Sequence, residues 1–325
     1  MKILKIALIT ALAAVLTTGA ALAGKGDTFQ DWADPEKAYK KVWLAPGPSQ
    51  MKKMTPEDFP KRVGLISFYL FDTGVHEFNA MAATYGGAYA KEFGLNEAGA
   101  NLFATELAKR GVPILKERFA EHGMELLTPA EFLDSQAKID AYLGLELPKS
   151  GWQKFAKAVR GWLDRNPNAT GAADGYSMTP THLWLDAGVL GALEELRVAL
   201  GLDALAAVSN LSGSNPKTVG FGGASLYVFG PNPEPKPEKF AKYWFPGLAY
   251  VQGNFGKGFK GLTFAYWSKG KSGKSTSVTN PVSGNTTTYS GKSIERAEYD
   301  GYAGVIDALA RRTLEELKAR YDKGK

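Results

Sequence analysis

An α/β fold, a mixed sheet flanked by helices, is the class this sequence predicts, and three observations predict it. Residues 62–71 read R-V-G-L-I-S-F-Y-L-F, a nearly unbroken apolar run that suits a strand buried on both faces. From 76 to 208, segments with helical spacing alternate with further short apolar runs, which is the strand–helix–strand grammar of α/β chains. The chain closes on an amphipathic helix: Tyr302, Val305, Ile306, Leu309, Leu314, Leu317 and Tyr321 share one stripe, while Arg311, Arg312, Glu315, Glu316, Lys318 and Arg320 face water.

In chain order, residues 1–23 carry an export pattern. Lys2 and Lys5 open it, residues 3–16 are almost wholly apolar, and Ala21-Leu22-Ala23 supplies a small-x-small cleavage site. Thr10, Thr17 and Thr18 keep the apolar run short of the ~20 residues of a spanning helix. A cleavable signal peptide is therefore expected, with the mature chain beginning at Gly24. Residues 24–61 are rich in Pro, Lys and Asp and hold Trp32, Trp43 and Pro46-Gly47-Pro48, so an extended arm over the surface is expected there. A single α/β domain is expected over 62–325.

Within that domain, Asp72-Thr73-Gly74 ends the first strand as a turn. Helices are expected over 76–93 and 97–121, the second with a kink at Gly111 and Pro113. Residues 124–127 form a short strand, and Thr128-Pro129-Ala130-Glu131 has the capping-box pattern with proline at the first helical position, opening a helix to Leu143. A helical insert is expected at about 140–200, broken by a polar loop over 166–180. Residues 201–208 lead into a buried strand. Strands follow at 224–229 and 262–267, and the Lys, Ser, Thr, Gly and Asn of 269–292 predict an exposed hairpin or loop.

Composition narrows the function classes. The chain of 325 residues is 44% hydrophobic and 12% aromatic, a folded globule rather than a disordered chain. Its formal charge of +6 falls to +4 without the two signal-peptide lysines, too small an excess to argue for nucleic acid. There is no cysteine, so disulfides, thiolate chemistry, cysteine-held metals and a lipoprotein anchor are all excluded. A periplasmic protein without cofactor or metal is the resulting expectation.

Several motifs carry chemical alternatives. Asp72-Thr73-Gly74 after an apolar strand looks like an aspartic-protease signature, but no second copy exists, and Leu185-Asp186-Ala187-Gly188 sits in a helix-like run. Asp72, Thr73, Gly74, His76 and Glu77 lie together past the end of the first strand, where open sheets place ligand sites. His122 and His182 show no metal-binding spacing. Gly-Lys-Ser recurs at 270–272, 273–275 and 291–293, yet Ala265, Ser268 and Thr286 stand where a phosphate loop requires its first glycine. V-G-F-G-G at 219–223 and G-N-F-G-K-G-F-K-G at 253–261 interleave glycine with aromatics, which lets a backbone approach a sugar or another chain, or marks bulges and turns. The tryptophans at 43, 152, 162, 184, 244 and 267 are expected in the core.

Three segments together carry a resemblance: R-V-G-L-I-S-F at 62–68, G-M-E-L-L-T-P-A-E-F-L at 123–133 and G-L-D-A-L-A-A-V at 201–208. The chain resembles the periplasmic α/β domains of the curli-secretion protein CsgG and the N-terminal domain of TolB. That resemblance implies an envelope assembly or interaction role and carries over no catalytic residue. The absent lipidation cysteine, the insert at 140–200 and the polar 269–292 segment depart from it.

The expectation is thus an exported, non-enzymatic envelope protein that binds another envelope protein or itself, with Lys269, Lys271, Lys274 and Lys292 as contact candidates. The second expectation is a soluble periplasmic receptor for a small molecule, and the third a hydrolase using Asp72 and His76.

Overall fold

The computed structural model describes residues 32–45, 56–72, 97–145, 168–179, 187–214, 218–231, 248–255, 262–265, 275–279, 286–290 and 296–322. Helix α1 (Pro35–Lys41) leads into strand β1 (Val42–Leu44), and β2 (Arg62–Asp72) into helix α2 (Glu97–Glu121) and β3 (Glu125–Leu127). Helices α3 (Pro129–Phe132) and α4 (Gln136–Leu143) follow, then short strands β4 (Asn168–Thr170), β5 (Ala172–Ala173) and β6 (Tyr176–Ser177), and helix α5 (Ala187–Leu200). Long strands β7 (Ala204–Ser214) and β8 (Thr218–Pro231) precede β9 (Leu248–Phe255), β10 (Leu262–Ala265), β11 (Ser275–Thr279), β12 (Thr286–Ser290) and the closing helix α6 (Arg296–Asp322).

The main sheet runs β1-β9-β8-β7-β2-β3, with β10 pairing β8 and β4 pairing β2 at their ends. Strands β3, β2 and β7 are mutually parallel, and the β7–β8, β8–β9 and β9–β1 pairs are antiparallel. This mixed sheet with flanking helices is the α/β class expected from the sequence. Strands β11 and β12 form a separate antiparallel pair within the polar 269–292 segment.

Both faces of the sheet are covered. One core joins Val63, Leu65, Phe68, Leu70, Ala206, Val208, Leu226 and Val251 to the apolar stripes of α2 and α6. The other joins Ile66, Leu205, Ala207, Tyr227 and Phe229 to Phe132, Tyr142, Leu193 and Leu196. Along β2 the first core takes odd positions up to Leu65 and even ones from Phe68, the switch that one extra residue imposes, and the β2–β7 register shifts between Leu65 and Ser67.

Helix α2 is continuous over 25 residues with Pro113 inside it, where a kink at Gly111 and Pro113 was expected. Gly111 lets α2 approach β2 closely: a Cβ there would lie 3.0 Å from Phe68 Cζ, a contact the ring would have to yield to by a few tenths of an ångström. Arg118 on α2 donates to Asp307 on α6 at 2.5 Å and to Glu121 at 2.6 Å, tying the two helices together across one face.

The start of α3 shows how a local signal becomes a tertiary joint. The Thr128 N–H donates to Glu131 Oε2 at 2.7 Å, Lys116 of α2 donates to the same carboxylate at 2.7 Å, and the Thr128 hydroxyl lies 2.8 Å from Asp174 Oδ2. Burial opposes the Glu131 charge, but the hydrogen bonds from Lys116 and Thr128 outweigh it and hold the carboxyl below its ordinary value. A carboxylate lowered in the folded state adds stability that is complete above the ordinary carboxylate range and is lost as pH falls through the lowered value. Glu131→Gln is therefore expected to lower the melting temperature at neutral pH, with its difference from the parent shrinking as pH drops below about 4. A difference that stays constant into acid would contradict this assignment.

Two expectations need correction. The arm at 24–61 is not merely an extended surface segment: residues 35–41 are helical, 42–44 join the sheet against β9, and Trp32, Ala38 and Val42 are buried. Its Asp34-Pro35 pair is a helix start, with the Asp34 carboxylate accepting from the Glu36 and Lys37 N–H groups and proline at the first turn. The polar loop expected over 166–180 inside the 140–200 insert is not irregular, because 168–177 hold the short strands β4, β5 and β6, the last two joined through Asp174-Gly175 at positive φ.

Candidate functional site

The parallel strands of the sheet point the way to the site. Strand β2 lies between β3 and β7, so the chain leaves it toward opposite sides, and the carboxyl ends of β2 and β7 form a switch point of the kind where open α/β sheets bind ligands. Asp72 ends β2 at this point, with its main chain opposite Ser212 of β7. Thr73, Gly74, His76 and Glu77 lie outside the described residues, as do His182, Asp186 and the hairpin lysines Lys269, Lys271, Lys274 and Lys292. His122 ends α2 with ring Nδ1 2.9 Å from the Arg118 carbonyl oxygen. Among the described residues no group of three or more His, Cys, Asp or Glu could hold a metal ion.

A cleft of about 360 Å³ opens beside this point, lined by Trp43, Ser209, Leu211, Gly222, Gly223, Ala224, Ser225, Asn254 and Phe255. Strand register builds its floor. Ser209 of β7 stands opposite Ser225 of β8, Ser225 opposite Asn254 of β9, and Asn254 opposite Trp43 of β1. At ordinary strand spacing that row is about 14 Å long. Alternation puts it on the face that α4 and α5 cover further along, since Ala207 and Tyr227, two residues on in each strand, belong to that second core.

The β7–β8 register shifts between Leu211 and Ser212, where Leu211 faces Gly223 and Ser212 faces Phe221, leaving Gly222 as the extra residue. Such bulges re-aim side chains beside binding sites. Here Leu211 is 47% exposed and Trp43 43% exposed, both large apolar groups in water at the cleft.

Asn254 is the electrostatic centre of the row. Its Oδ1 accepts from the Ser225 hydroxyl at 2.7 Å and from Gln252 Nε2 at 2.6 Å, and Gln252 Nε2 also donates to the Tyr227 hydroxyl at 3.3 Å. Two donors on one side of the amide fix its orientation. Its Nδ2 is buried without a hydrogen-bond partner among the described residues, although the residue is only 7% exposed. A buried donor left unmet costs about 1–3 kcal/mol.

No family model, curated protein or solved structure matches this chain. The site must be read from its chemistry. Among the described lining residues none is ionisable, so the cleft offers hydroxyls, an amide, main chain and an indole. The titratable groups with strongly raised values elsewhere are structural: Arg118, held up by its hydrogen bonds to Glu121 and Asp307, and the buried tyrosines Tyr142, Tyr302 and Tyr321. Burial pushes Tyr142 up to about 12, its hydroxyl donating to the Ile66 carbonyl at 3.2 Å and accepting from the Thr179 N–H at 3.1 Å.

Sequence reasoning missed the whole row, and placed Trp43 in the core, where the structure leaves it half exposed at a sheet edge. The available signal was the pair of glycine-and-aromatic stretches, 219–223 and 253–261, whose Gly222, Gly223, Asn254 and Phe255 meet at the cleft.

Proposed function

We propose that this chain is an exported, periplasmic envelope protein that acts by binding another envelope component rather than by catalysis, with the cleft at Ser209, Ser225, Asn254 and Trp43 as its contact site. One observation carries the reading: a buried amide donor with no partner among the described residues sits in a row of uncharged hydrogen-bonding groups beside exposed apolar side chains. That is the chemistry of recognition, where polar groups fix orientation and apolar surface adds affinity. The export pattern of residues 1–23 supports the periplasmic setting. The order β2–α2–β3–α3, then β7–β8–β9 and α6, is compatible with the plan of the CsgG and TolB N-terminal domains, which supports an envelope setting. Among the described residues no helix is long and apolar enough to cross a membrane.

Placing a photo-activatable diazirine residue at Leu211 tests the contact site. The expected result is a covalent adduct on irradiation of native host cells, with little from the same group at Val198, which is 62% exposed on α5. Equal yields at the two positions would reject the cleft as the contact site.

A further inference from the structure

We infer that the cleft takes a neutral sugar unit of a glycan, with its ring against Trp43 and its hydroxyls bonded along the Ser209–Ser225–Asn254 row, an inference that rests on the binding function proposed above. A pyranose presents two kinds of surface: faces of C–H groups and a rim of hydroxyls that both donate and accept. The cleft matches both. The half-exposed indole of Trp43 offers an apolar platform with a polar edge. The adjoining row offers two half-buried serine hydroxyls and the Asn254 amide, whose Nδ2 has no partner among the described residues and lies just beneath the cleft surface, so that a sugar oxygen meets it once the side chain turns outward. Gly223 adds no side chain to the floor, while the Leu211 side chain lies against Gly222 and forms an apolar wall there.

Other occupants fit less well. A purely apolar ligand would leave the Asn254 donor unmet in an even drier site. A charged ligand would find no counter-charge among the described lining residues. An extended peptide joining the sheet needs a free strand edge; β8 and β9, which carry Ser225 and Asn254, are each paired on both sides, and of the strands lining the cleft β1 alone ends the sheet, so the peptide is kept as a competitor in the test.

The test uses the purified full-length exported protein and titrations, followed by calorimetry, with cellotetraose, maltotetraose and tetra-N-acetylchitotetraose, against polygalacturonate and an uncharged peptide. At least one neutral oligosaccharide is expected to bind, and Trp43→Ala to weaken it about tenfold. Asn254→Asp is the sharper variant. It keeps an oxygen to accept from Ser225 and Gln252 and exchanges the donor NH2 for a second, anionic oxygen, so a loss of at least about tenfold in affinity is expected in a protein whose circular dichroism matches the parent. Preference for the charged polymer or the peptide, absence of binding to every neutral sugar, or sugar binding indifferent to both variants would each overturn the inference. If sugars fail but the adduct at position 211 still forms selectively, the sugar assignment alone falls. If that adduct fails too, the binding site falls with it.

Discussion

Gly304→Ala is expected to lower the melting temperature, although alanine is the better helix former. Gly304 lies within α6, where replacing glycine should stabilise the helix by about 1 kcal/mol. The opposing effect is larger. A Cβ at this position would overlap the Trp32 carbonyl oxygen, lie 3.0 Å from the carbonyl carbon and stand 3.3 Å from Ala33 Cα. These are main-chain atoms, which cannot swing aside as a side-chain tip can. The segment from Trp32 to β1 would have to lift, exposing Trp32 and Ala38 and breaking the Tyr39–Glu315 hydrogen bond and the Glu36–Arg311 ion pair at 2.9 Å. Unburying one large apolar side chain alone costs about 1.5–3 kcal/mol, so destabilisation wins. Gly191→Ala is the internal control, because nothing lies within 4 Å of a Cβ there. It is expected to stabilise the fold by about 0.5–1 kcal/mol. Thermal melts of both variants decide the matter: a rise in both would mean the N-terminal segment does not press on α6.

Asn210→Ala should cost more still. Asn210 Nδ2 donates to the Tyr69 carbonyl at 3.2 Å, and its Oδ1 accepts from the Tyr302 hydroxyl at 2.8 Å, with all three residues fully buried. This bridge ties β2, β7 and α6 through one amide. Truncation strands a phenol in a dry core, takes one hydrogen bond from the Tyr69 carbonyl and leaves a void, at about 3–5 kcal/mol in total. Tyr302→Phe removes one partner only and is expected to cost about 1–3 kcal/mol. Burial also raises the Tyr302 ionisation well above an ordinary tyrosine, so the hydroxyl remains a donor throughout the neutral range. Chemical denaturation of the two single variants and the double variant would measure the coupling. An Asn210→Ala protein as stable as its parent would show that the bridge is incidental.

What the sequence made legible follows from how local each signal was. The ten-residue apolar run predicts β2 because burial on both faces needs no knowledge of partners. The Thr128–Glu131 cap and the stripe of α6 are equally self-contained. Strand β9 was missed although Val251, Gly253 and Phe255 alternate with Gln252 and Asn254, because its inward positions include a glycine that lies against Thr313 of α6. Glycine scores as a breaker when the neighbour that requires it is sixty residues away. The recognition row was illegible for a related reason. Ser209, Ser225, Asn254 and Trp43 are ordinary residues on four strands, and only inter-strand register aligns them. Trp43 illustrates the limit: its exposure depends on what does not pack over β1, which no window of sequence contains.

The contact between the first helix and the last also sets a timetable. Strand β1 and α1 rest on β9 and α6, and α6 seals one face of the sheet through Tyr302, Leu309 and Leu317. A ribosome would therefore have to release nearly the whole chain before that face could close. Such sequence-distant closure makes folding slow. It would leave the growing polypeptide loose until its last segment arrives, with α6 acting as the latch that shuts the fold.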